Sequence, residues 1–107
     1  MAVFSDVQFA TVNTNATDTT IVAALTTGKI RVVAMVIVAA GAVVAQLQSD
    51  TAGTTLTGPM TMATGVPIEL SFNPRGWCET AATKLLNLHL GGAVQVSGVI
   101  AYVQVDN

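Results

Sequence analysis

The stretch Val66–Leu90, VPIELSFNPRGWCETAATKLLNLHL, constrains the fold more than any other part of the chain. Val66, Ile68, Leu70 and Phe72 share one parity, against Pro67, Glu69 and Ser71 on the other. Further along, Leu86, Leu88 and Leu90 alternate with Leu85, Asn87 and His89. Period-two alternation sets one face of a strand on a core and the other in solvent. An Asn73-Pro74-Arg75-Gly76 turn joins the two runs, and Trp77, the chain's single tryptophan, follows it. This pattern predicts a two-layered antiparallel β-domain.

The rest of the chain reads the same way. Short strands are expected over Val7–Val12 and Ile21–Leu25, with a polar loop, Asn13–Thr20, between them. Lys29–Val38 is the longest β-branched run, and after Arg31 both of its parities are apolar. An antiparallel strand with two apolar faces needs both covered. One is assigned to the core and the other to a partner subunit, which makes Val33, Met35 and Ile37 the candidate oligomer interface. The uncharged window Val32–Ala45 is too short for a spanning helix, which needs about twenty residues, and reads as two strands around Ala39–Ala42. Leu56–Ala63 contains Pro59, which removes a ladder donor and puts that strand at an edge or gives it a break. Glu79–Thr83 has the composition of a single helical turn. In Ala93–Val105 the valines change parity near Ser97-Gly98, where a β-bulge is expected.

About eight strands with turns every eight to twelve residues define an all-β fold. A jelly roll, eight strands in two Greek keys, is the first choice among β-sandwiches. An immunoglobulin-like sandwich comes second, because the usual Cys pair around a Trp is missing. Met1–Asp6 reads as an N-terminal arm and 7–107 as one domain.

Composition bears on partners. Charged residues are 9% of 107 and mean hydropathy is +0.63, whereas an ordinary soluble chain carries about 25% charged residues. Part of the surface is therefore expected to lie against other protein. Net charge is −2, and the four basic residues are scattered at 29, 31, 75 and 84, so no cluster exists to bind a phosphate backbone. Neither nucleic acid nor membrane is an expected partner. Cys78 has no second cysteine to pair with, and Met-Ala-Val-Phe-Ser-Asp lacks the basic and apolar regions of a signal peptide.

The residues that carry chemistry are few. His89 lies on the outer parity without a metal-ligand or nucleophile partner at a recognisable spacing. Cys78 reads as apolar filler. The six carboxylates, Asp6, Asp18, Asp50, Glu69, Glu79 and Asp106, form no calcium-loop or paired spacing. No phosphate-binding glycine loop occurs. The expectation is a protein without catalytic residues, metal or cofactor. In Asn73–Trp77 the turn chemistry favours a structural corner with Trp77 plugging one end of the sandwich. Arg75, in contrast, is equally suited to a contact or to solvent.

Leu56–Met60, Pro74–Thr80, Leu86–Leu90 and Gly98–Val105 together carry a resemblance. Their order and spacing are similar to those in a group of small tailed-bacteriophage head proteins. The resemblance implies a jelly-roll decoration, or cement, protein that forms a homotrimer on the outer surface of the virion capsid and ties major capsid proteins together. With it goes a candidate capsid contact made by Val3, Phe4 and Arg75. A rival of a different class is a carbohydrate- or receptor-binding module of a tail fibre or tip.

Overall fold

The structure is a computed structural model that describes residues 7–51 and 53–105. Ten strands run through them: β1 (Gln8–Thr14), β2 (Asp18–Val22), β3 (Lys29–Ala39), β4 (Val43–Ser49), β5 (Thr54–Thr55), β6 (Met60–Met62), β7 (Ile68–Leu70), β8 (Cys78–Glu79), β9 (Leu86–Leu90) and β10 (Val96–Val105). They form a β-sandwich of two antiparallel sheets. Sheet A has the order β1-β10-β3, with β7 and β8 following one another along the far edge of β3. Sheet B has the order β2-β9-β4, with β6 and β5 sharing the far edge of β4. The two interrupted edges explain why about eight strand positions are legible while ten segments form.

Chain neighbours often belong to different sheets. β1 leads into β2, β3 into β4 and β9 into β10 across the sandwich, so Ala40–Ala42 is a crossover and not a hairpin turn. Pairing instead joins distant parts of the chain: β1 lies on β10 and β2 on β9. The core between the sheets is built from one parity of each central strand. Leu86, Leu88 and Leu90 of β9 face Ile30, Val32 and Ile37 of β3 and Ile100 of β10, all with at most 1% of their surface exposed. Each such side chain contributes about 1.5–3 kcal/mol by leaving water.

β3 keeps its apolar side inward in two phases. Ala34 stands opposite Ala101 and Val32 opposite Tyr102, so Val33 is an extra residue without a partner on β10. Before this bulge Ile30 and Val32 point into the core; after it Met35, Ile37 and Ala39 do. Both parities of the run are apolar because the core row changes parity at the bulge and the outward row beyond it is apolar as well. The expected oligomer interface through Val33, Met35 and Ile37 is accordingly corrected: these residues are 1%, 3% and 0% exposed within a single chain. The outward parity after the bulge is Ala34, Val36 and Val38.

The bulge expected at Ser97-Gly98 is also corrected. β10 passes through both residues in unbroken register with β1 and β3. Val96, Ile100 and Tyr102 point inward, whereas Val99, Ala101 and Val103 keep the outer parity. The change of apolar parity marks a strand whose outer face is apolar, not a slip. Gly98 holds φ at +152°, and a Cβ there would overlap Val36 O and lie 2.8 Å from Ile37 Cα.

Glu79–Thr83 does not form a helical turn. Its backbone is taken up by other partners: Glu79 pairs with Arg31, Thr80 N–H donates to Ile30 O at 2.9 Å, and Thr83 N–H donates to Gly28 O at 2.9 Å. The Thr80 hydroxyl completes that ladder by accepting from Ile30 N–H at 3.0 Å. Weak helix propensity loses to a sheet edge already in place. Pro59 does interrupt its edge, between β5 and β6. No helix among the described residues is long and apolar enough to cross a membrane.

Candidate functional site

The outer face of sheet A is apolar across its width. Phe9 of β1, Val99 and Ala101 of β10, and Ala34 and Val36 of β3 meet in a groove of about 250 Å³ that Glu69 and Leu70 of β7 close on one side. Phe9 is 71% exposed and Val36 37%. The register sets this out: Phe9 stands opposite Ala101, Ala101 opposite Ala34, and Val36 opposite Glu69. All five are on the parity that the core does not use. Glu69 is the carboxylate of this groove.

Beside the groove the edge of sheet A is interrupted by the loop between β7 and β8. Two β3 carbonyls at the bulge hold it, with Asn73 N–H donating to Val33 O at 2.8 Å and Trp77 N–H to Val32 O at 2.7 Å. Within the loop Gly76 N–H donates to Asn73 O at 2.8 Å, and Arg75 N–H to Asn73 Oδ1 at 3.0 Å. Gly76 takes φ +82°, and a Cβ there would overlap the Arg31 side chain. Arg31 is fixed in turn by Glu79, whose Oε1 accepts from Nε at 3.0 Å and Nη2 at 2.8 Å.

This loop carries exposed aromatics. Trp77 is 49% exposed and Phe72 61%. The expectation that Trp77 plugs the sandwich is therefore corrected: its indole lies along the loop and donates from Nε1 to Ser71 O at 2.7 Å. Its backbone is tied to the sheet edge at Val32 O, which leaves the ring at the surface. Arg75 is exposed and takes no ion pair among the described residues. Val3 and Phe4 lie outside the described residues.

The outer face of sheet B has the opposite character. The register lines up Asp18, His89 and Gln46 in one row and Thr20, Asn87 and Gln48 in the next. Asn87 Nδ2 donates to Asp18 Oδ1 and to Gln48 Oε1, both at 3.0 Å. His89 Nδ1 stands 3.0 Å from the same Asp18 oxygen. Asn87 is 1% exposed, and its Oδ1 has no hydrogen-bond partner among the described residues. His89 does lie on the outer face, but Asp18, 71 residues away, is a partner that local spacing does not reveal.

The Asp18 carboxyl is held below its ordinary value, first by the His89 hydrogen bond and then by that of Asn87. Because the folded state favours the carboxylate, its contribution to stability is complete above the unfolded value of about 3.9. That contribution is lost as pH falls through the lowered folded value. Urea midpoints at pH 7 and pH 3 should thus drop further for the wild type than for Asp18→Asn. An equal drop in both would remove Asp18 from the acid response.

Cys78 packs against the core, and burial, followed by the charge of Glu79, pushes its thiol up to about 11. A thiol with so little thiolate at neutral pH is a poor nucleophile. Among the described residues no group of three or more His, Cys, Asp or Glu side chains is placed to hold a metal ion. The feature that stands out is an exposed apolar groove with one carboxylate, bordered by a loop of Phe72, Arg75 and Trp77. No family model, curated protein or solved structure matches the chain.

Proposed function

We propose that this protein is a structural capsid decoration protein of a tailed bacteriophage, binding the outside of the assembled head as a homo-oligomer and tying neighbouring major capsid proteins together. The observation that carries the reading is the placement of its exposed apolar side chains. Phe9 and Val36 on sheet A, with Phe72 and Trp77 on the adjoining loop, make one surface suited to protein contacts. Exposed apolar surface gathered in this way marks interaction sites. The strand order supports the jelly-roll part of the reading. β1, β10, β3 and β7/β8 against β2, β9, β4 and β5/β6 is the order produced by folding a long hairpin over itself. A protein that binds only the closed shell stabilises it by mass action.

In this reading Val3 and Phe4 contribute to the capsid contact as part of an arm. Several arms of one oligomer engaging a repeating lattice would multiply weak contacts. The test is co-sedimentation with purified heads. The full chain should pellet with assembled heads, and deletion of Ala2–Ser5 should leave fold and oligomer intact while weakening binding at least tenfold. Failure of the full chain to bind heads, with retention on a glycan or on host cells, would replace this reading by that of a carbohydrate- or receptor-binding module.

A further inference from the structure

We infer that the groove across sheet A is filled by the Ser71–Trp77 loop of a second copy of this chain, which seats Phe72 and Trp77 over Phe9 and Val36 and brings Arg75 to Glu69. The inference rests on the self-association in the proposed function but not on capsid binding.

Charge complementarity selects this occupant. Among the described carboxylates, Asp18, Asp50 and Glu79 each have a basic partner, His89, Lys84 and Arg31 respectively. Glu69 takes no ion pair among the described residues. Among the described cations Arg31 and Lys84 are taken, which leaves Arg75 and Lys29. Lys29 stands opposite Val105, whereas Glu69 stands opposite Val36. Seven residues of β3 separate those two places, about 23 Å at 3.3 Å per residue, and no exposed large apolar side chain lies within six residues of Lys29 along the chain to enter the groove of another copy with it. Arg75 belongs to the loop beside the groove, yet it does not reach Glu69 in its own chain. The neighbouring Trp77 is bonded at Val32, four residues or about 13 Å along β3 from Val36.

The apolar part of the surface points the same way. A groove floored by Ala34, Val99 and Ala101 with one carboxylate at its side calls for an apolar segment carrying a single cation. The loop offers one arginine between two exposed aromatic rings, the side-chain types most enriched where protein contacts are strong. Groove and loop are adjoining patches of one surface, so two copies can exchange loops reciprocally or pass them head-to-tail round a closed ring. The rings supply affinity, and the Arg75–Glu69 pair at the margin sets register and rejects other arrangements.

Charge reversal tests this in solution without heads. Wild type, Glu69→Arg, Arg75→Glu and the double variant are sedimented at about 10–100 µM, a range that spans moderate self-affinities. The wild type should assemble, with a blue shift of Trp77 emission as copies associate. Each single reversal should weaken assembly at least tenfold while the chain keeps the far-UV circular dichroism of the folded protein. The double variant should assemble again, because the reversed charges then oppose each other at every contact between copies. A wild type that stays monomeric, single variants that assemble like it, or a double variant that assembles no better than they do would each overturn the inference. Should a reversal unfold the chain, Glu69→Gln and Arg75→Gln replace it, and wild-type assembly by both would overturn it equally. Loss of head binding with solution assembly retained would count against the capsid reading alone.

Discussion

Gly98→Val leaves little folded protein at 25 °C. The residue sits in the middle of β10, paired on both sides, at a φ of +152° that side chains other than glycine's rarely adopt. A Cβ at this position would overlap Val36 O and stand 2.8 Å from Ile37 Cα. Both are backbone atoms of β3, so no rotamer change relieves the clash; the central strands of sheet A must part. Strain of this kind and a broken ladder together cost more than about 3 kcal/mol, a large share of the roughly 5–15 kcal/mol that holds a domain folded. Gly98→Ala should be strongly destabilised in urea unfolding for the same reason. Gly92→Ala is the control, since nothing lies within 4 Å of its Cβ position, and it should stay within about 0.5 kcal/mol. A Gly98→Ala protein as stable as the wild type would show that β10 relaxes there in a way the register does not provide for.

Ile37→Asp unfolds the protein instead of dissociating an oligomer. Ile37 is 0% exposed between the sheets, and no cation stands near it in the core cluster. An unpaired carboxylate in that place should cost more than about 4 kcal/mol. Circular dichroism should show loss of β-structure at every concentration. Phe9→Ser makes the contrast, because Phe9 is exposed on the outer face of the same sheet. It should keep the fold and weaken self-association. A folded, monomeric Ile37→Asp variant would return the strand to the interface role that its sequence first suggests.

These two residues show how far the sequence can be read. Alternation in Leu86–Leu90 was sufficient, because its two parities differ in polarity and only one assignment to the core is possible. In β3 the same rule fails. Apolar residues occupy both parities, and the inserted Val33 changes which of them faces the core. In β10 the apparent slip comes from an apolar outer face, and composition cannot tell an outer apolar row from a displaced inner one. The groove was hidden for that reason. The size of Trp77 argues for burial, whereas its position is set by the bulge carbonyls that hold the loop at the sheet edge. Arg75 was legible as a turn residue with contact potential. Glu69, its proposed partner across copies, reads locally only as the polar residue of an alternating strand. The Asp18–His89 pair spans most of the chain and leaves no local mark.

The position of β10 between β1 and β3 also sets an order of events for the growing chain on the ribosome. Until residues 96–105 have been synthesised, sheet A lacks an interior strand, and β1 and β3 each present an open, apolar-flanked edge. The same holds for β9 between β2 and β4. Closure must wait for contacts some ninety residues apart, as between Gln8 and Tyr102, and topologies of this kind fold slowly, on the order of milliseconds to seconds. During that wait exposed edges invite pairing with other chains. Yield in the cell should therefore depend on translation rate and chaperone supply more steeply than the stability of the finished sandwich would imply.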